Sequence, residues 1–139
     1  MNRGVLCAAV GIVGSGVASL FGGWGAALSG LVLFMAIDFA MGLTVAGVFK
    51  RSKKTDGGAL ESRAGWKGLC RKVYTLALVL VAHWLDIITG TSYIRDAVCI
   101  GFIANEAISI LENAGLMGIP IPSVMSKAIE VLRDKDVKK

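Results

Sequence analysis

Apolar residues run almost unbroken from Val5 to Phe49, and between Arg3 and Lys50 the only charged side chain is Asp38. A membrane span needs about 20 mainly apolar residues. A turn at Gly22-Gly23-Trp24-Gly25 divides the run into spans at 4–21 and 26–48, with Trp24 suited to the aqueous interface between them. The pattern then breaks into a polar stretch at 50–72 and resumes as two further apolar segments at 73–90 and 96–118, joined by the short link Gly90-Thr91-Ser92-Tyr93-Ile94-Arg95. Pro120 and Pro122 end the last of these, because proline removes a backbone donor and disfavours helix in the residue before it. Beyond them Ser123 is a suitable N-cap, and Val124, Met125, Ala128, Ile129 and Leu132 fall opposite Lys127, Glu130 and Arg133 over 123–139. The pattern predicts an all-α integral membrane protein of about four transmembrane helices plus a C-terminal amphipathic helix and charged tail. Three spans are the alternative, if the Gly-rich first segment lies in the interface.

Composition agrees. With 55% hydrophobic and 18% charged residues, the 139-residue chain is far too apolar for an ordinary water-soluble domain of its size. The stretch 50–72 holds Lys50, Arg51, Lys53, Lys54, Arg63, Lys67, Arg71 and Lys72 against Asp56 and Glu61, and basic residues beside spans are retained in the cytoplasm. That loop therefore faces inward and both termini are cytoplasmic, leaving Arg95 as the only one of 15 basic residues outside. A secretory signal peptide over the first segment is a weaker reading, since its apolar stretch is broken by glycine.

Polar groups inside the apolar segments are the candidate chemistry, because such groups are costly in lipid. Asp38 shares a four-residue stripe with Phe34, Gly42 and Ala46. His83 and Asp86 lie three residues apart on one helical face, close enough to bond. Asn105, Ser109 and Glu112 follow Gly101 along one face of the fourth segment, with Glu106 and Asn113 turned slightly away. Lys and Arg are absent from 96 to 126, so these carboxylates have no expected cationic partner at their depth other than a protonated His83. In a single bundle they would lock helices together; in an assembly they would line a hydrated lumen or control association. Small residues add a packing surface, with Gly11, Ser15 and Ser19 on one four-residue stripe and Gly14, Ala18 and Gly22 on the next.

Other chemistry is not supported. One His and three widely spaced Cys form neither a metal site nor a disulfide framework, and no cofactor is implied. No nucleophile elbow, acid–base dyad or phosphate loop argues for an enzyme. The basic loop has Trp66 as its one aromatic, so contact with anionic lipid suits it better than nucleic acid. A small ion- or proton-coupled channel or transporter remains an alternative, because buried Asp, Glu and His serve those functions too.

Four features in order resemble one family. They are Asp38 with Gly42, the Gly65-Trp66-Lys67-Gly68 turn before Arg71-Lys72, the run Ala82-His83-Trp84-Leu85-Asp86, and the stretch from Asn105-Glu106 to Pro122. Over residues 35–133 the chain resembles the bacteriophage holins of the toxin-secretion and phage-lysis group, which includes clostridial toxin-release holins. It departs from the family's usual pattern at Met41 and Ala107, both conservative in size. The resemblance implies a homo-oligomer of the bacterial inner membrane that forms lesions at a set time and releases a cell-wall hydrolase, or a toxin, without binding it directly. On this reading Asp38, His83, Asp86, Asn105, Glu106, Ser109 and Glu112 are pore-lining or assembly residues, and Gly11, Ser15, Ser19 and Gly42 pack helices. An inhibitor made from a second start is not expected, because the next methionine is Met35, and any antiholin is then a separate protein.

Overall fold

The computed structural model describes residues 2–137, and among these the chain is entirely helical. The helices are α1 (Arg3–Leu20), α2 (Ala26–Thr44), α3 (Ser62–Thr89), α4 (Ile94–Leu116) and α5 (Ser123–Val137), with α2 prolonged by a wider π-helical turn at Val45–Phe49. Three of them are long and apolar enough to cross a membrane, namely α1, α2 with its extension, and α3. At 23 residues α4 is also long enough, but Arg95, Asp96, Glu106 and Glu112 dilute its apolar character.

Packing centres on α4, which lies most extensively against α2 and next against α3, while α2 and α3 touch each other little. The seam is read directly from periodicity. Leu28, Leu31, Met35, Asp38, Gly42 and Val45 recur on α2 at alternating steps of three and four, the spacing that keeps one stripe facing a partner helix. Lys72, Leu76, Val79 and Asp86 follow the same rule on α3, and so do Cys99, Glu106 and Asn113 on α4. Leu28, Leu31, Met35, Val79 and Cys99 make the buried apolar core, flanked by Phe21, Leu76, Val98, Phe102 and Ile103. Asp38, Asp86 and Asn113 are buried on that same seam.

Helix α1 stands apart from this bundle. Only Ala18 of its residues is buried, and Val5, Val10, Ile12, Val13 and Leu20 are exposed. It joins α2 through a turn in which Gly22 and Gly23 take positive φ of 80° and 95°. At the other end of α2, Lys50 enters the left-handed region at φ 52° and the chain folds into a compact loop over 50–61. Gly58 is required there: its φ is 73°, and a Cβ would collide with the Lys50 carbonyl oxygen.

The main departure from the sequence expectation is the start of α3. The helix begins at Ser62 rather than near 73, so the second half of the presumed basic loop, including Lys72, is helical. Its 28 residues extend about 42 Å, well beyond a hydrocarbon core of about 30 Å, so in a membrane-crossing α3 the surplus length would carry the first turns with Arg63 and Lys67 into a headgroup layer.

Candidate functional site

The heart of the bundle is a polar cluster that joins three helices. Lys72 Nζ donates to Asp38 Oδ2 at 2.9 Å and to Glu106 Oε2 at 2.6 Å. Asn113 Nδ2 donates to the other Asp38 oxygen, Oδ1, at 3.0 Å. The side chains of Lys72, Asp38 and Glu106 are 15%, 6% and 12% exposed, so the ions are largely withdrawn from solvent. Gly42, one turn beyond Asp38, lies beside the amide, where a Cβ would make ordinary contact at 4.0 Å from Asn113 Nδ2. Every buried side-chain polar atom among the described residues has a partner.

This corrects the expectation that the carboxylates lack a cation. Counting lysine-free residues along α4 overlooked Lys72, which arrives from α3. A usable signal was present, since Lys72 lies seven and fourteen residues before Val79 and Asp86 and so continues the buried stripe of α3. Asn113, turned from the face of Asn105 and Glu112, lies seven residues after Glu106 and faces the seam, whereas Asn105 and Glu112 are exposed.

Beside the cluster opens a cavity of about 900 Å3, bordered by α2, the 50–61 loop, α3 and α4. Asn105, Ser109 and Glu112 line it together with Asp38 and Glu106. Five of the seven residues singled out as polar candidates therefore converge on one space.

His83 and Asp86 do not join them. They lie toward the far end of α3, and they do not bond to each other. Asp86 instead secures the start of α4, accepting from Thr91 Oγ1 at 2.7 Å and from the Ile94 and Arg95 backbone N–H groups at 2.9 Å each. A carboxylate at a helix N-terminus satisfies donors that have no intrahelical partner. Arg95 then reaches back to the α1–α2 turn, donating to the Phe21 carbonyl at 2.6 Å and the Gly23 carbonyl at 3.2 Å, while Asp96 holds its guanidinium at 3.1 Å. The His83 ring packs over Gly22, leaving no room for a side chain there, and meets Trp84 edge-on at 6.4 Å between ring centroids.

The small-residue stripe of α1 is uncovered. Gly11, Ser15 and Ser19 are exposed, and Ser19 Oγ donates a hydrogen bond to the Gly16 carbonyl at 2.8 Å. No group of three or more candidate metal-binding side chains occurs among the described residues.

Residues 15–134 match the bacteriophage holin family. The chain belongs to that family. A protein of Bacillus phage phi105 named "Probable holin" is 32% identical over 78% of this chain and 76% of its own length. An uncharacterized protein of Halalkalibacterium halodurans is 35% identical over 91% of this chain and 93% of its own. Another, from Listeria innocua, is 38% identical over 91% and 86% respectively. No solved structure matches. Holins are membrane-pore proteins rather than enzymes, and the family together with the apolar helices assigns this holin-family chain to a membrane.

Proposed function

We propose that the chain is a phage holin of the bacterial inner membrane, with four spans and both termini cytoplasmic. Copies assemble into lesions large enough to pass a cytoplasmic endolysin, or a toxin, and so set the time of lysis. The observation that carries this reading is the family match across residues 15–134, which includes the whole polar seam.

The physical features support it as follows. Helix α1 offers apolar and small residues on all sides and buries almost none of them, so it must meet lipid or further copies. Close approach through Gly11, Ser15 and Ser19 supplies the dispersion contact that holds helices together where no hydrophobic drive exists between them. Asp38 and Glu106 are satisfied within one subunit, which lets the protein accumulate without opening a path for ions. Asn105, Ser109 and Glu112 present polar groups to the groove and become lumen-facing when subunits associate. The endolysin needs no binding surface, an antiholin would be a separate protein, and no cofactor takes part.

The test is culture turbidity after induction in bacteria that also express a muralytic enzyme lacking a secretion signal. Abrupt clearing after a delay, advanced by a membrane-energy poison and abolished with a catalytically dead enzyme, is expected. Gradual ion leakage without enzyme release would overturn the reading in favour of a small ion- or proton-coupled channel or transporter.

A further inference from the structure

The groove beside the polar cluster lies between α2 and the first half of α3, two helices that touch each other little. Along α3 it extends from Ala64 to Leu78, a rise of about 21 Å. One leaflet of a bilayer, headgroups included, is about 20–22 Å thick. The walls mix charge with apolar surface: Lys54, Lys67 and Arg71 line the groove together with Phe39, Leu43 and Leu78, and Leu78 marks its end away from the 50–61 loop. Gly65 and Gly68 leave the α3 wall bare, since a Cβ on either meets nothing within 4 Å. Trp66, 67% exposed, lies in a smaller hollow that shares Phe39, Leu43 and Leu60 with the groove, where an interfacial aromatic belongs.

A space of this kind in a bilayer is filled, because a void forfeits dispersion contacts along its lining. The filling must be amphipathic to suit both kinds of wall. Its polar end must be anionic: among the described residues Lys54, Lys67 and Arg71 have no ion-pair partner, whereas Asp38 and Glu106 are already matched to Lys72. Glu61 and Glu112 also border the groove unpaired, so a headgroup bearing hydroxyl donors suits it better than a bare phosphate.

We infer that the groove binds one anionic, hydroxyl-bearing phospholipid of the phosphatidylglycerol type, from the leaflet beside the 50–61 loop. Its phosphate sits among Lys54, Lys67 and Arg71, and an acyl chain runs along Phe39, Leu43 and Leu78. Basic pockets between spans hold anionic headgroups for the same electrostatic reason. The lipid would wedge α2 from α3 while α4 holds both. This inference rests on the membrane placement but not on lysis, and its test uses no lysis readout.

The experiment is native mass spectrometry of the purified full-length protein in mild detergent, with equal amounts of phosphatidylglycerol and phosphatidylcholine. One retained phosphatidylglycerol per chain is expected, at a preference of about a hundredfold for three basic contacts. The combined Lys54→Gln, Lys67→Gln, Arg71→Gln variant should lose the preference. Gly68→Leu should block retention of either lipid with all charges intact, and it replaces a helical glycine by a better helix former. Arg63→Gln, on the same helix but outside the groove, should bind as the parent does, and far-ultraviolet circular dichroism should show unchanged helicity in every variant. Equal retention of phosphatidylcholine, binding undiminished in Gly68→Leu, an equal loss in Arg63→Gln, or displacement by inorganic phosphate would each overturn the assignment. A chain that binds the lipid yet fails to lyse cells would keep this site and remove the holin reading.

Discussion

Replacing Lys72 by Met removes the one cation that two buried carboxylates share. At an effective dielectric of about 20, each contact in the triad, at 2.9 and 2.6 Å, carries on the order of 6 kcal/mol of attraction. Desolvation of each ion consumes several kcal/mol, so the intact triad contributes little net stability. Removal of Lys72 is a different matter, because Asp38 and Glu106 keep their desolvation cost and lose their compensation. Breaking a buried ion pair in this way costs about 3–5 kcal/mol. The triad holds two negative groups and one positive, so the carboxylate variants behave asymmetrically. Asp38→Asn or Glu106→Gln leaves one matched pair and sacrifices a hydrogen bond of about 1–2 kcal/mol. The neutral triple variant Lys72→Met, Asp38→Asn, Glu106→Gln should recover most of what Lys72→Met loses. Unfolding midpoints in mixed detergent and dodecyl sulfate micelles, followed by circular dichroism, give the order. A Lys72→Met variant within about 0.5 kcal/mol of the parent, or a triple variant no more stable than Lys72→Met, would refute the reasoning.

Three further outcomes are expected. In lysis cultures Asp38→Asn and Glu106→Gln should shift the onset of clearing while the protein stays in the membrane fraction; unchanged timing in both would separate the cluster from assembly. Asp86→Ala strips three hydrogen bonds from the start of α4 and should cost about 2 kcal/mol in the same micelle assay, with faster amide exchange at Ile94 and Arg95. Gly22→Ala meets both a positive φ and the His83 ring, so adding His83→Ala should restore only part of the lost stability, the φ 80° strain of about 1–2 kcal/mol remaining.

Much of the fold was legible because hydropathy in a membrane protein is a strong signal. The break at Gly22-Gly23-Trp24-Gly25 falls between Leu20, where α1 ends, and Ala26, where α2 begins, and the prolines at 120 and 122 separate α4 from α5. The start of α3 was not legible in the same way. Arg63, Lys67, Arg71 and Lys72 depress local hydropathy, which reads as loop, although helix is indifferent to charge on an exposed face and Lys and Arg are good helix formers. The candidate site suffered from a related error. A four-residue stripe drawn through Gly101, Asn105 and Ser109 tracks the groove side of α4, whereas packed helices keep a 3.5-residue period, and that period selects Cys99, Glu106 and Asn113. His83 and Asp86 are neighbours by sequence spacing, but Asp86 meets stronger partners in the unpaired N–H groups of α4, a tertiary preference that spacing on one helix does not encode.

The seven-residue spacing changes what the polar residues ask of an assembly. Leu31, Asp38 and Val45 on α2, Lys72, Val79 and Asp86 on α3, and Cys99, Glu106 and Asn113 on α4 are each seven apart, so polar and apolar groups share a single seam. A carboxylate at such a position is matched inside its own subunit before any second copy arrives. In the proposed assembly, unsatisfied intramembrane charge is therefore not what would drive one chain toward another. The driving force would come from surfaces the subunit leaves open, which are the apolar and small-residue faces of α1 and the exposed Asn105 and Glu112 at the groove. The seam would act in the opposite sense: parting α2 from α3 and α4 would break the contacts of Lys72 and Asn113 with Asp38 together, so the proposed opening would need water or partners of equal strength.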